Sequence, residues 1–179
     1  MPFTSKAVAN SILLRAWEHK IAVSPMKLQK LVYYSHGWHL AVVGDRLINR
    51  KSEAWKFGPV VPTLFHEFKK FGNQPIDTLA VSYQETGPGM FDFKPMEPTI
   101  EIEAVESGLN PLTIPVVEKV LSEYGQFSAT KLSNMTHEPG GPWDQIWNSG
   151  QPVDDGTDIP NELISGHFKV SYQRHLTGE

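Results

Sequence analysis

The chain has 179 residues, 40% hydrophobic and 20% charged, with no cysteine and a formal net charge of −4. That is enough chain to bury a core, and the missing cysteine excludes a disulfide framework, a thiolate zinc site and a cysteine nucleophile. No stretch approaches the roughly 20 apolar residues of a membrane span, and Met1 to Ser11 carries no signal-type apolar run, so a cytoplasmic protein with no membrane partner is expected.

The charge is unevenly spread. Up to Pro75, 11 Lys+Arg stand against 4 Asp+Glu, and from Ile76 onward 5 stand against 16, giving +7 and −11. Either two solvated faces attract each other across the fold, or a basic surface awaits an acidic partner. An acidic total argues against a dedicated nucleic-acid binder.

In chain order, Ser5 to about His19 predicts a helix, with Val8, Ala9, Ile12, Leu13 and Ala16 on one face. Ser24-Pro25 reads as an N-cap followed by proline at the first helical position. Behind it, Leu28, Leu31, Val32, Ser35, Trp38, His39 and Val42 form one stripe, which Gly44 ends. Short extended segments are expected at Arg46–Ile48 and Ala54–Phe57, as a hairpin or two edge strands, with Gly58-Pro59 ending the second. Pro62 opens a helix to Phe71 with Val61, Leu64, Phe65, Phe68 and Phe71 on one side, and Gly72 closes it. Residues 76–108 read as a loop-rich acidic excursion, a two-stranded surface arm in which Val81–Tyr83 and Ile100–Ile102 alternate as strands. Thr113 caps a helix with Ile114, Val117, Val120, Leu121 and Tyr124 as its stripe and Gly125 as its end. Ser128 caps another to about Thr136. Pro142 opens a turn or two bearing Trp143 and Trp147, and a last short helix is expected near Pro160–Phe168, followed by a fraying tail. The fold class is mainly α (α+β): residues 1–179 form a single domain, a compact bundle of about five to six short helices with a few short β-strands.

Few residues suggest chemistry. His36 and His39 stand at i and i+3 on one helix, a spacing that can share a metal, but both lie on or beside an apolar stripe and no HExxH-type spacing appears. His137-Glu138 offers a dyad only if sequence neighbours face each other. Gly140-Gly141-Pro142 precedes a helix start, where free N–H groups hold anions, but the P-loop lysine is missing; two glycines equally let Trp143 turn into the core. No catalytic, cofactor-binding or metal-binding residue is assigned, and no cofactor is expected. The aromatics are dense, with 5 Trp and 9 Phe. Glu53-Ala54-Trp55-Lys56-Phe57-Gly58-Pro59-Val60-Val61-Pro62 alternates charged and aromatic residues and then breaks stiffly, and a stiff segment loses little entropy on binding a partner.

Three blocks carry a resemblance. Lys27-Leu28-Gln29-Lys30-Leu31-Val32-Tyr33-Tyr34-Ser35-His36-Gly37-Trp38-His39-Leu40, the Glu53–Pro62 block with His66-Glu67-Phe68 behind it, and Leu132-Ser133-Asn134-Met135-Thr136-His137 with Gly140-Gly141-Pro142-Trp143 together resemble the Panacea family, the SocA-like and phage-associated GepA-like antitoxins. They cover roughly Phe3 to Asn148; residues 76–108 and the tail carry little of the pattern. The resemblance implies an antitoxin that binds and neutralises a toxin encoded beside it. One branch of the family delivers its toxin to the ClpXP protease as an adaptor, and other members are prophage-borne. Some members carry an extra DNA-binding domain; there is no room for one before Ser5, which disfavours direct operator binding here. The motif positions do not name the contacts. Candidate partner-binding residues are Glu53, Trp55, Lys56, Phe57, Pro59, His66, Glu67, His137 and Trp143. Two readings compete: a nucleic-acid-binding regulator using the basic first half, and a metal-dependent enzyme that would gather His36, His39, His66 and His137. Gly37 inside a helix costs about 1 kcal/mol relative to alanine, which a close approach by another segment would explain.

Overall fold

A computed structural model describes residues 1–89, 92–108, 110–150, 153 and 156–178. Its first helix, α1 (Ser5–Glu18), starts where the Thr4 hydroxyl accepts the Ala7 N–H. The second, α2 (Pro25–Val42), starts at Ser24 with proline at its first position, and Ser24 Oγ accepts the Lys27 N–H. Gly44 follows at φ +81°, a backbone conformation glycine adopts without strain.

The single stripe read on α2 understates its burial. Tyr33, Tyr34, His36, Gly37 and Leu40 are buried together with Leu28, Leu31 and Val32, whereas Trp38 and Val42 at the stripe's end are half-buried. A helix apolar on most sides needs partners on most sides. They are α1, α3 (Pro62–Phe68), α5 (Thr113–Tyr124), α6 (Ala129–Thr136), α8 (Asn161–Thr177) and the strand β2 (Gly58–Val60). The longest of these contacts is with α8, where a Cβ on Gly37 would come within 2.3 Å of the Phe168 ring. Only glycine lets the two helices close, and Phe168 meets Tyr33, Tyr34 and Trp38 edge-on.

β1 (Ser52–Trp55) pairs antiparallel with β2, Trp55 opposite Gly58, so Lys56-Phe57 is a two-residue turn. Gly58 therefore opens the second strand, at φ +95°, and does not end the first. On its other edge β1 pairs with β5 (Thr157–Ile159). The expected extended segment at Arg46–Ile48 instead meets the N-terminus: Phe3 donates to the Leu47 carbonyl and accepts from Asn49, and Ile48 is bridged to Phe3. α3 ends in a 3₁₀ turn, Lys69–Phe71, closed by Gly72 at φ +58°.

The excursion holds a two-stranded ribbon, β3 (Tyr83–Glu85) with β4 (Phe93–Pro95), so the arm exists but its second strand is not Ile100–Ile102. Those residues belong to a helix, α4 (Pro98–Glu106), which starts with proline and packs on α1 through Ile102 and Val105. Three alternating residues fit either period; only the i, i+3 pair facing α1 decides. A short helix, α7 (Pro142–Trp147), buries Trp143. Eight α-helices with short strands among the described residues make the fold mainly α. α8 runs beyond the expected Phe168 to Thr177, with Gly178 left-handed at its end; its last turns are exposed and so carried no apolar period.

Candidate functional site

The Glu53–Pro62 block is the hairpin β1–β2, and its backbone is fastened from behind by side chains of distant segments. Gln29 of α2 makes a two-way clamp on Val61, accepting its N–H at 2.8 Å and donating to its carbonyl at 3.1 Å. Lys30 donates to the Pro59 carbonyl at 2.9 Å. Ser133 of α6 donates to the Phe57 carbonyl at 2.8 Å, and Trp143 of α7 donates its indole N–H to the Trp55 carbonyl at 2.8 Å. All three sequence blocks thus meet at this one hairpin.

On the outer side the hairpin shows its aromatics. Phe57 at the turn is 56% exposed, and the Lys56 ammonium lies 5.5 Å from its ring centre. The Trp55 ring leans on Phe65, centroids 4.9 Å apart, and its N–H is taken by the Glu53 carboxylate at 2.9 Å. Met26, at the start of α2, is exposed beside them. Together these residues line a groove of about 500 Å³ between α2, the hairpin and α3. The helical spacing puts Phe65 with the α3 core stripe, but it faces this groove; Val61, Leu64 and Phe68 fill the core.

None of the remaining candidates lines this groove. Pro59 is buried in β2 and Trp143 beneath the hairpin. His137 stacks on Trp143, centroids 3.8 Å apart. Burial, and then the nearby Lys30 charge, hold its imidazole below the usual range, while Asp144 pulls it up. His66 is exposed, its ring edge-on to Phe65. Glu67 turns to α1, where it pairs with Lys6 at 2.6 Å.

Lys30 was no candidate, although it stands in the first block. It is wholly buried, and burial pushes its ammonium down to about 7. A lysine surrounded by apolar spacing is the one signal that marks it, since a charge is rarely buried without a task.

The histidines serve the framework. His36 accepts the Leu47 N–H at Nδ1 and so donates from Nε2 to the Asn161 side-chain oxygen at 2.9 Å. His39 donates from Nδ1 to the Asp45 carbonyl at 2.7 Å and accepts the Thr113 hydroxyl at Nε2. Each neutral imidazole thus has its tautomer set by two partners, leaving no lone pair for a metal. Burial, opposed by the Asn161 bond, pushes His36 down to about 4. Among the described residues, no group of three or more His, Asp or Glu side chains could hold a metal ion. His137 and Glu138 do not face each other as a dyad: Glu138 lies 3.8 Å from His167. At Gly140-Gly141 the anion is the chain's own, since Asp144 accepts the Gly140 N–H at 2.9 Å. Thr113 spends its hydroxyl on His39, and α5 begins with no side-chain cap. No helix among the described residues is long and apolar enough to cross a membrane.

Residues 28–144 match the family model described as "Antitoxin SocA-like, Panacea domain". The chain belongs to the SocA-like antitoxin family. Its Panacea domain spans the three blocks and the hairpin they hold. The chain is 32% identical over 174 residues to the protein named "Antitoxin SocA" from Caulobacter vibrioides (strain NA1000 / CB15N), covering 92% of this chain and 82% of that protein. No solved structure matches it.

Proposed function

We propose that this Panacea domain neutralises a toxin encoded beside it by gripping the toxin directly, in the cytoplasm, without catalysis. Family membership supports a toxin as partner. The observation that carries the reading is the exposed Phe57 on a hairpin whose carbonyls at Trp55, Phe57 and Pro59 are each fixed by a side chain from another element. Such a turn presents aromatic area that is already ordered, so little entropy is lost on binding. Anchors of this kind dominate protein interfaces.

In this reading Trp55, Lys56, Phe57 and His66 make direct contact, with Glu53 orienting the Trp55 ring. Pro59, His137 and Trp143 support the hairpin from behind, and Glu67 fixes α3 to α1. Co-expression with the product of the adjacent reading frame tests it. Growth is restored and the two proteins co-elute from a sizing column; if purified together they neither rescue nor associate, the reading falls. Delivery to ClpXP is the finer part of the proposal. It is checked by the toxin's half-life in cells with and without that protease, which differs only when the antitoxin is present.

A further inference from the structure

The groove beside the hairpin has a charge pattern that its neighbours lack. Its apolar lining comes from Met26, Trp55, Phe57 and Phe65, and every charged residue that lines it is a lysine: Lys30, Lys56 and Lys69. Lys30 is buried at its floor and spent on the Pro59 carbonyl; the exposed Lys56 and Lys69 have no carboxylate within ion-pair distance among the described residues, whereas Lys6, Arg15, Lys51 and Lys119 each do. The acidic side chains of the hairpin and of α3 are already engaged, Glu53 by the Trp55 indole and Glu67 by Lys6.

A second apolar groove, about 460 Å³ between α2, α5 and α8, is the contrast. Its Lys119 is neutralised by Glu123 one turn along the same helix, at 2.8 Å. Only part of the positive charge in the first half of the sequence is met by the acidic half; Lys20, Lys27, Arg46, Arg50 and Lys70, away from the groove, also have no ion pair among the described residues. Arg15 and Lys51 pair with Glu106, Glu118 and Asp158 from the acidic half. Lys56 and Lys69, exposed at the groove rim, have no carboxylate partner among the described residues.

We propose that this groove takes an amphipathic segment of the toxin that sets carboxylates beside its apolar side chains. The inference rests on the toxin-binding reading above. Apolar side chains of the segment would cover Phe57, Phe65 and Met26, while carboxylates meet Lys56 and Lys69 at the rim. Exposed lysine stems lie along apolar surface and keep their heads in water, so both parts of such a segment are matched at once. Complementary charge of this sort speeds association and gives a strong salt dependence.

The test uses the purified product of the adjacent reading frame and three forms of the full chain. Lys56→Glu with Lys69→Glu, both exposed and expected to fold as the parent by circular dichroism, weakens binding tenfold or more. The loss lies mainly in the association rate and shrinks as salt is raised. Phe57→Ala weakens binding at all salt concentrations. Exchanging the pair in the other groove, Lys119→Glu with Glu123→Lys, leaves affinity unchanged. If the parent binds but the lysine variant binds equally well with the same salt response, this proposal falls and the toxin-binding reading stands. If the parent does not bind, both fall. If the parent alone self-associates on a sizing column and the lysine variant abolishes it, the occupant is a second copy and the proposal is overturned.

Discussion

The β1–β2 hairpin and the β3–β4 ribbon are both short antiparallel pairs, yet they are held in opposite ways. The first is fastened from outside as well as by its own ladder: Gln29, Lys30, Ser133 and Trp143 reach its backbone from three helices, and β5 covers its second edge. The second is fastened by its own turn. Asp92 accepts the Gly89 N–H, Thr86 donates to the Asp92 carbonyl, and all six strand residues are exposed. In its register Tyr83, Glu85, Phe93 and Pro95 share one face, which no described element covers. A two-stranded pair is marginal by itself. What makes one of them a rigid platform is the satisfaction of its carbonyls by a buried frame, not the length of its strands. That is why the proposed partner surface is the first.

The largest effect is expected from Gly58→Ala. A Cβ there would lie 2.4 Å from the Thr136 hydroxyl and 2.7 Å from the Lys30 ammonium, on a backbone at φ +95°. Overpacking and backbone strain together cost about 2–4 kcal/mol, read by urea denaturation, and toxin binding falls with it. Trp143→Phe keeps a ring under the hairpin but removes the donor to the Trp55 carbonyl; about 1–2 kcal/mol is lost. Ser133→Ala, which frees the Phe57 carbonyl to water, costs about 1 kcal/mol. Its larger signature is faster amide exchange at the turn.

Lys30→Met changes how the hairpin's frame responds to pH. Folding holds this ammonium at about 7, against 10.5 for the free side chain. Between those values the unfolded chain binds the extra proton, so stability climbs as pH rises through that window and this contribution is level below it. The methionine variant loses that slope. At neutral pH it stays within about 1 kcal/mol of the parent, since the gain from replacing a buried charge by an apolar side chain of similar volume is offset by the Pro59 carbonyl left without its donor. Denaturation curves at neutral and at alkaline pH decide. The smallest effect is expected from Tyr83→Ser with Phe93→Ser in the ribbon, within about 0.5 kcal/mol and with no change in toxin affinity. Unchanged stability with a drop in affinity would make the ribbon a second contact and undo the contrast.

The sequence was most legible where signals are local. Ser24-Pro25, Ser128 and Pro62 mark helix starts because a cap or a proline acts within one turn. Gly37 announced a close approach, and Phe168 is what approaches. The three blocks announced the family without showing that they converge on one hairpin. Legibility failed where a residue had two local options and a distant partner chose. Thr113 is a good cap by type, but the His39 imidazole claims its hydroxyl. Ile100–Ile102 alternates over too few residues to exclude a helix, and α1 selects the helical face.

By itself, then, the order of residues determined where the helices begin and the mainly α class, because caps, prolines and apolar spacing act over one to four residues; the resemblance of its three blocks, and not that spacing, carried the kinship with antitoxins. Tertiary structure alone decided which lysines are neutralised and which are left open, that Lys30 is buried, and that Phe65 and Met26 join Phe57 at one groove. Those outcomes depend on segments tens of residues apart arriving at the same place, and no local rule encodes the meeting.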